Sequence, residues 1–268
     1  MIGKDPIKMY PAITLRHVNK VYPNGTIALQ DMTLTVEQGQ FVSLVGPSGC
    51  GKSTVLKIVS GLSEMTSGEV VAMGDPGKLA YVFQEPALMP WGTITENVLL
   101  PLKLAGIPSE IAKQSVEKAL QLVGLQGYAQ VYPRELSGGM RMRVSIARAL
   151  VTEPNILLMD EPFGALDEIT RSRLNRDVLS LWQQKNWTVL FVTHNIYEAV
   201  YLSNRVLVMA SRPGRVIADI PIDAPYPRTE EFRTSPLYNS YCREIWGCLS
   251  DAMALAPEPT VSNSFSRI

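Results

Sequence analysis

The sequence predicts an α/β fold: a mainly parallel central sheet flanked by helices. Three observations carry that expectation. A Gly-rich segment, Gly46-Pro-Ser-Gly-Cys-Gly-Lys52-Ser53-Thr54, joins a short apolar run to a helical one. From residue 156 to residue 209, strand-like and helix-like stretches alternate, which is the pattern of βα units. The runs at 41–45 and 156–159 are almost wholly apolar, as expected of strands buried on both faces.

Taken in order, residues 13–18 and 27–36 read as strands, with Tyr22-Pro23-Asn24-Gly25 as the turn that makes them an N-terminal antiparallel pair. Residues 41–45 are the first buried strand. The Gly-rich loop leads into a helix over 52–59, which Gly61 closes as a small C-terminal cap. Residues 68–73 and 79–83 are further strands. Ser109 and Glu110 open a helix that runs to Val123, and Gly124 stops it. A second helix over 137–150 places Met140, Val144, Ala147 and Leu150 at helical spacing. Strands at 156–159, 189–192 and 205–209 then alternate with helices at 168–184 and 195–202. Beyond Ile220 the composition shifts. Pro221, Pro225 and Pro227 read as a linker, residues 235–249 as a short helix, and the Ser/Pro/Asn-rich residues 257–268 as a disordered tail.

The bulk composition narrows the function classes. A chain of 268 residues suits one large domain with a small appendage. With 46% hydrophobic and 19% charged residues it can build a substantial core. Lys plus Arg equals Asp plus Glu, at 25 each, so no long-range field draws the chain to nucleic acid or anionic lipid. Cys50, Cys242 and Cys248 are too few and too scattered for a disulfide framework, and read as reduced thiols of a cytosolic protein. Residues 1–10 lack the apolar core of a secretory signal, and the longest apolar stretches are strand-length. The chain is therefore not expected to cross a membrane by itself.

Chemistry concentrates in three places. Gly46, Pro47, Ser48, Gly49, Cys50, Gly51, Lys52, Ser53 and Thr54 match G-x-x-x-x-G-K-[ST] between a predicted strand and a predicted helix. The glycines let backbone N–H groups turn in around phosphate oxygens, and the helix N-terminus adds its positive dipole end. Lys52 would neutralise the β- and γ-phosphates, and the Ser53 hydroxyl would ligate Mg²⁺. A chance Gly-rich turn of this pattern would arise in roughly 1% of chains this long, so nucleotide binding is the better reading. Second, the apolar run at 156–159 ends in Asp160-Glu161, which places both carboxylates at the C-terminal edge of the sheet. Asp160 is then placed to hold Mg²⁺ and Glu161 to polarise an attacking water. A strand ending in a solvated turn is the bland alternative, and the phosphate loop upstream argues against it. Third, Leu136-Ser137-Gly138-Gly139-Met140 opens a helix with a hydroxyl and free amides. An anion-binding terminus and an ordinary N-cap are equally compatible with those residues.

These motifs, in this order and spacing, resemble the ATP-binding subunits of ABC transporters, from about Ile13 to Ile220. Leu136 to Met140 matches that family's signature motif, which other phosphate-loop classes lack. The resemblance implies an ABC-type ATPase domain over 11–220 with a helical subdomain at about 93–150 that carries the signature, a short extension at 221–256, and the tail at 257–268. It implies that Tyr22 stacks on adenine, that Gln84 touches Mg²⁺ or the attacking water, and that His194 hydrogen-bonds the γ-phosphate. Ser137, Gly138 and Gly139 would bind the nucleotide held by a partner chain, and Asp167 would lie between the two chains. Lys52, Gln84, Glu161 and His194 form the implied catalytic set; Ser53, Gln84 and Asp160 form the implied Mg²⁺ set. His17, on an early strand, has no such context and reads as structural. Met142 departs from the glutamine that the family often has there, which is expected to alter contacts near the ribose.

Gln84-Glu-Pro-Ala-Leu-Met-Pro-Trp91 and Glu161-Pro-Phe-Gly-Ala-Leu-Asp167 resemble, more narrowly, the branch that imports nitrate, bicarbonate, sulfonates or taurine. Gly164 stands where much of the wider family has serine. The implied partners are a second ATP-binding subunit, transmembrane permease subunits and, through them, an extracytoplasmic solute-binding protein. The implied location is the cytoplasmic face of the cell membrane, and nucleic acid is not an expected partner. A soluble ABC ATPase acting on nucleic acid or ribosomes is the alternative, but such chains usually carry two cassettes or a long coiled coil. A phosphate-loop kinase or GTPase is weaker still, since it leaves the Ser137 segment unexplained.

Overall fold

The computed structural model describes residues 11–72, 78–211 and 213–254. Met73, expected to end a strand, and the expected tail over 257–268 lie outside the described residues. Among the described residues, nine strands form two sheets. β1 (Pro11–Val21), β2 (Ile27–Glu37) and β4 (Ser67–Ala72) make an antiparallel sheet in the order β2-β1-β4. β3 (Phe41–Val45), β5 (Leu79–Val82), β6 (Ile156–Asp160), β7 (Thr188–Thr193), β8 (Arg205–Ala210) and β9 (Arg215–Pro221) make the other, ordered β5-β6-β7-β3-β8-β9. All its pairings are parallel except β8 with β9.

The apolar runs of β3 and β6 are explained by what lies on each side. Side chains alternate along a strand, so a run buried on both faces must be apolar throughout. Leu157 and Met159 enter a core shared with the helices, while Ile156 and Leu158 enter a second core under the antiparallel sheet. In β3, Phe41 and Val45 join the first core, and Val42 and Leu44 the second. The helix that follows the Gly-rich loop, α1 (Lys52–Val59), packs Val55, Leu56, Ile58 and Val59 into that second core. Gly61 follows it with φ 73° and donates to Ile58 O at 3.1 Å, the closing role expected of it.

Helix α2 (Ile94–Leu104) falls in the helical subdomain implied at about 93–150, though it was not read as an element of its own, and it carries Pro101 in its interior. Its start is nonetheless legible: Thr93 and Glu96 form a reciprocal capping box. Helices α3 (Ser109–Leu122) and α4 (Gly138–Leu150) pack with it. The remaining helices are α5 (Glu168–Lys185), α6 (Ile196–Leu202), α7 (Glu230–Thr234) and α8 (Pro236–Ala254). Where a Pro-rich linker was expected, β9 runs through Pro221, and α8 is longer than the predicted helix. Pro221 is tolerated because β9 is the edge strand. Residues Tyr238, Cys242 and Ile245 of α8 are buried in the main core. Arg228 ties this region down: its guanidinium donates to Val200 O at 2.6 Å and Tyr201 O at 3.0 Å, and lies over the Tyr226 ring.

One buried side chain organises the approach to α2. Asn97 is fully buried, accepts from Met89 N at 2.7 Å, and donates to Met89 O, Gly92 O and Thr93 O at 2.9–3.2 Å. Asn97→Ala strands those backbone groups without solvent, and a loss of about 2–4 kcal/mol is expected. Thermal melting should show it as a drop of roughly 5–10 °C. A shift below about 2 °C would mean that the loop holds its shape unaided.

Candidate functional site

The site lies at the C-terminal edge of β3, β6 and β7, where open α/β sheets bind ligands. The Gly-rich loop leaves β3 and enters α1 through Gly51, at φ 97°. A Cβ there would meet Leu29 Cδ2 at 2.7 Å and Ala28 O at 2.9 Å, so both dihedral and space demand glycine. No side chain caps the N-terminus of α1, which leaves its first N–H groups for an anion. Lys52, almost fully buried, donates from Nζ to Gly46 O at 2.9 Å and Pro47 O at 3.1 Å, so its ammonium is held within the loop. Cys50 Sγ is 3.9 Å from that ammonium, and burial still pushes the thiol pKa up.

β6 delivers the carboxylates. Asp160 Oδ1 accepts from Ser53 Oγ at 2.9 Å, and its Oδ2 accepts from Tyr81 OH at 3.0 Å. Burial and the adjacent carboxylate push the Tyr81 phenol above its ordinary value, so it stays a donor and fixes the Asp160 rotamer. Glu161 then turns the chain at φ 45°, a conformation uncommon for a side chain of this size, with its N–H on Val192 O at 2.9 Å. That turn aims Glu161 inward. Its Oε1 lies 3.9 Å from Lys52 Nζ, and its Oε2 is 2.9 Å from His194 Nδ1, just past the end of β7. Lys52, Ser53, Asp160, Glu161 and His194 thus form one contiguous cluster, contributed by three strand ends far apart in sequence.

Tyr22 sits to one side, about one-third exposed, with its hydroxyl 3.2 Å from Thr54 Oγ1 and Lys20 over its ring. An accessible aromatic face beside the first turn of α1 has the form needed to stack on a base. Gln84, just after β5, is exposed and makes no described hydrogen bond. The segment that follows is held by Arg148 of α4, which donates to Pro86 O at 2.7 Å and Ala87 O at 2.9 Å. This loop is apolar, and the structure divides it. Leu88 packs against the core, whereas Trp91 is 77% exposed.

Ser137 caps α4, its Oγ accepting from Met140 N at 3.3 Å. Asp167 caps α5 in the same way from Thr170 N at 3.0 Å, and that bonding holds its carboxyl below its ordinary pKa. The two caps are neighbours. A Cβ on Gly139 would collide with Thr170 Cγ2, so glycine there allows the two helix starts to approach. Among the described residues, no hydrogen bond or ion pair joins the Ser137–Gly138–Gly139 segment or Asp167 to the Lys52 cluster. Met142, expected near a ribose, is instead 3% exposed and part of the main core; at helical spacing its side chain faces inward. His17 is exposed and pairs with Asp31 at 2.6 Å, well away from this chemistry.

The sequence reading missed Tyr81, Arg148 and Asn97, each of which supports another residue through an atom that no motif names. Tyr81 alone had a signal, a polar tip on a strand that ends at the same sheet edge.

Comparison with known proteins places this geometry. The ABC transporter family profile matches residues 29–164. The aliphatic sulfonates import ATP-binding protein SsuB of Bacillus licheniformis is 43% identical over 242 residues, covering 87% of this chain and 92% of its own. SsuB of Bacillus cereus (strain ATCC 10987) is 45% identical over 226 residues, covering 81% and 89%. Among solved structures, the dimeric bacterial ABC transporter cassette MJ0796 matches at a TM-score of 0.70 with 33% identity, covering 80% of this chain and all of that one. A post-hydrolysis dimer of the same cassette, bound to ADP and Pi, matches equally well. The chain belongs to the ABC transporter family, as an ATP-binding subunit that hydrolyses ATP.

Proposed function

We propose that this subunit powers import of a small organic or inorganic anion, with an aliphatic sulfonate as the first candidate, through a membrane permease. The carrying observation is the cluster of Lys52, Ser53, Asp160, Glu161 and His194 at one sheet edge. Phosphoryl transfer needs little covalent help from a protein; it needs placement and charge. Lys52 and the free amides of α1 receive the phosphates. Glu161 accepts a proton from the attacking water, and His194 both orients that carboxylate and faces the γ-phosphate. Gln84 reaches the same water from the β5 side. Tyr22 stacks on the base.

The donor set also fits Mg²⁺. Ser53 Oγ and Asp160 Oδ1 are hard oxygens already brought to 2.9 Å of each other, and Tyr81 bonds the other carboxylate oxygen, Oδ2. Bound there, Mg²⁺ would neutralise charge on the β- and γ-phosphate oxygens.

The Ser137–Gly138–Gly139 segment does not reach this cluster in its own chain, which favours its use in trans on the nucleotide of a second ATP-binding subunit. Asp167, beside it, then lies between the chains. The sulfonate assignment is supported by the SsuB relatives and not by any solute-binding feature of this chain. No helix among the described residues is long and apolar enough to cross a membrane. A place at the cytoplasmic membrane face, bound to a permease that receives solute from an extracytoplasmic binding protein, fits that observation. Nothing in the comparisons favours the nucleic-acid reading.

The test is purification of the tagged chain from detergent-solubilised membranes, followed by uptake assays in vesicles that hold the complex. ATP-dependent uptake of ethanesulfonate, and slower or absent uptake of nitrate and bicarbonate, is expected. A chain that hydrolyses ATP but copurifies with no integral membrane protein would sink the importer reading.

Trp91 supplies the docking prediction. A soluble surface gains nothing from a 77%-exposed indole beside the Gln84 loop, and such anchors concentrate binding energy. Trp91→Ala is expected to leave the melting temperature and ATP binding unchanged while weakening permease assembly by about 2 kcal/mol. Co-purification yield and the ratio of solute moved to ATP split report it. Normal yield and normal coupling would remove Trp91 from the interface.

A further inference from the structure

Two charged residues outside the phosphate-binding cluster are joined in a way that bears on Glu161 and His194. Arg171, in the first turns of α5, donates from Nη2 to Leu166 O at 2.7 Å and from Nε to Phe163 O at 3.3 Å. It thereby pins both ends of the short turn that follows Glu161. Nη1 meets Glu168 at 2.8 Å. Glu198, on α6, is buried, and its Oε2 accepts from Thr193 Oγ1 at 2.6 Å. The same Thr193 hydroxyl oxygen accepts from Asn195 N at 2.9 Å, so the backbone on both sides of His194 is bound into this chain of contacts. Arg171 Nε and Glu198 Oε1 are 3.4 Å apart, which closes the link between the two loops.

The bonding at Glu198 is uneven. Its Oε1 is buried and makes no hydrogen bond, so charge attraction alone offsets its desolvation. Burial raises the Glu198 carboxyl above its ordinary pKa, and the Thr193 hydroxyl and Arg171 act against that rise. For stability alone, a well-packed apolar pair would serve as well or better. The arrangement makes sense where two loops must be kept in one register.

We propose that Arg171 and Glu198 are positioning residues for ATP hydrolysis: their ion pair locks the turn after Glu161 to the loop that carries His194, and so sets the Glu161–His194 contact. The proposal rests on the reading of Glu161 and His194 given above, and it assigns neither Arg171 nor Glu198 any contact with nucleotide. Displacing one partner of a catalytic contact by about 1 Å can cost up to 10²-fold in rate, while substrate binding, made elsewhere, persists.

The 268-residue chain carries two histidines, His17 and His194, so imidazole signals in ¹H–¹⁵N spectra report on His194 directly once a His17→Ala chain assigns them. Glu198→Gln keeps an acceptor for Thr193 and removes the charge; Arg171→Lys keeps the charge and loses the fork. Each is expected to lower kcat about tenfold with KM for ATP within about twofold, and to move the His194 signals while those of His17 stay. The double variant should cost little more than either single one. Two outcomes overturn the proposal: native kcat in both variants, or a loss of rate that follows melting temperature and ATP affinity with the His194 signals unmoved. If Glu198→Gln does not fold, Arg171→Lys carries the same readings. Should His194→Ala hydrolyse ATP at the native rate, it is the underlying reading of the site that fails.

Discussion

Glu161→Gln is expected to bind ATP as the native chain does and to release phosphate about 10²–10⁴-fold more slowly, the span that loss of a positioned general base produces. The substitution is nearly isosteric. It retains an acceptor for the His194 ring, 2.9 Å away, and it keeps the left-handed turn that aims the side chain. What it removes is the negative charge facing Lys52 at 3.9 Å and the basicity needed to take a proton from water. Lys52 then meets the phosphates without a competing carboxylate, so affinity for ATP should hold or rise. With binding intact and the bond unbroken, the closed dimer should accumulate. Steady-state phosphate release, nucleotide binding and light scattering with ATP present measure the three parts separately. Hydrolysis within about fivefold of the native rate would show that Glu161 is not the base.

The sheet and the phosphate loop were readable because each depends on a short-range pattern. Continuous apolar runs at β3, β6 and β7 follow directly from burial on two faces, and G-x-x-x-x-G-K-S from the need for backbone amides around phosphate. Failures came where a long-range partner overrode the local signal. Helix α2 survives Pro101 because its N-terminus is doubly capped by Thr93 and Glu96 and anchored by buried Asn97. β9 was hidden because an edge strand with one wet face carries weak alternation, and Pro221 suggested a linker. The helix read at 235–249 is present as α8 and only its last turn was missed; Tyr238, Cys242 and Ile245 tie it to the core. Within the site, the residues that gather at the sheet edge were legible from their motifs, and those that hold other residues in place were not. Arg171 and Glu198 look like ordinary surface charges at helical positions, and only the fold shows that they face each other 3.4 Å apart.

Chains carrying Lys52→Ala and chains carrying Ser137→Arg are each expected to be inactive alone, yet to recover hydrolysis when mixed. Lys52→Ala removes the buried ammonium at the centre of the phosphate loop. Ser137→Arg replaces the N-cap of α4 and places a long cation where the signature would meet a nucleotide. In a two-fold dimer with sites completed in trans, a mixed pair puts both lesions into one composite site and leaves the other with a native loop and a native signature. Random pairing of equal amounts makes half the dimers mixed, so about a quarter of native activity should return if the two sites act independently. A smaller return would measure how far one site depends on the other. The alternative, in which Ser137 serves only as the helix cap seen here, predicts a different pattern. Ser137→Arg would then cost the roughly 1 kcal/mol of stability of a lost cap, seen as a lower melting temperature, and its effect on rate would stay within its own chain. Mixing would restore nothing, even with mixed dimers demonstrated by differential tagging. That result would confine the signature segment to a structural role and would remove the trans site from the proposed mechanism.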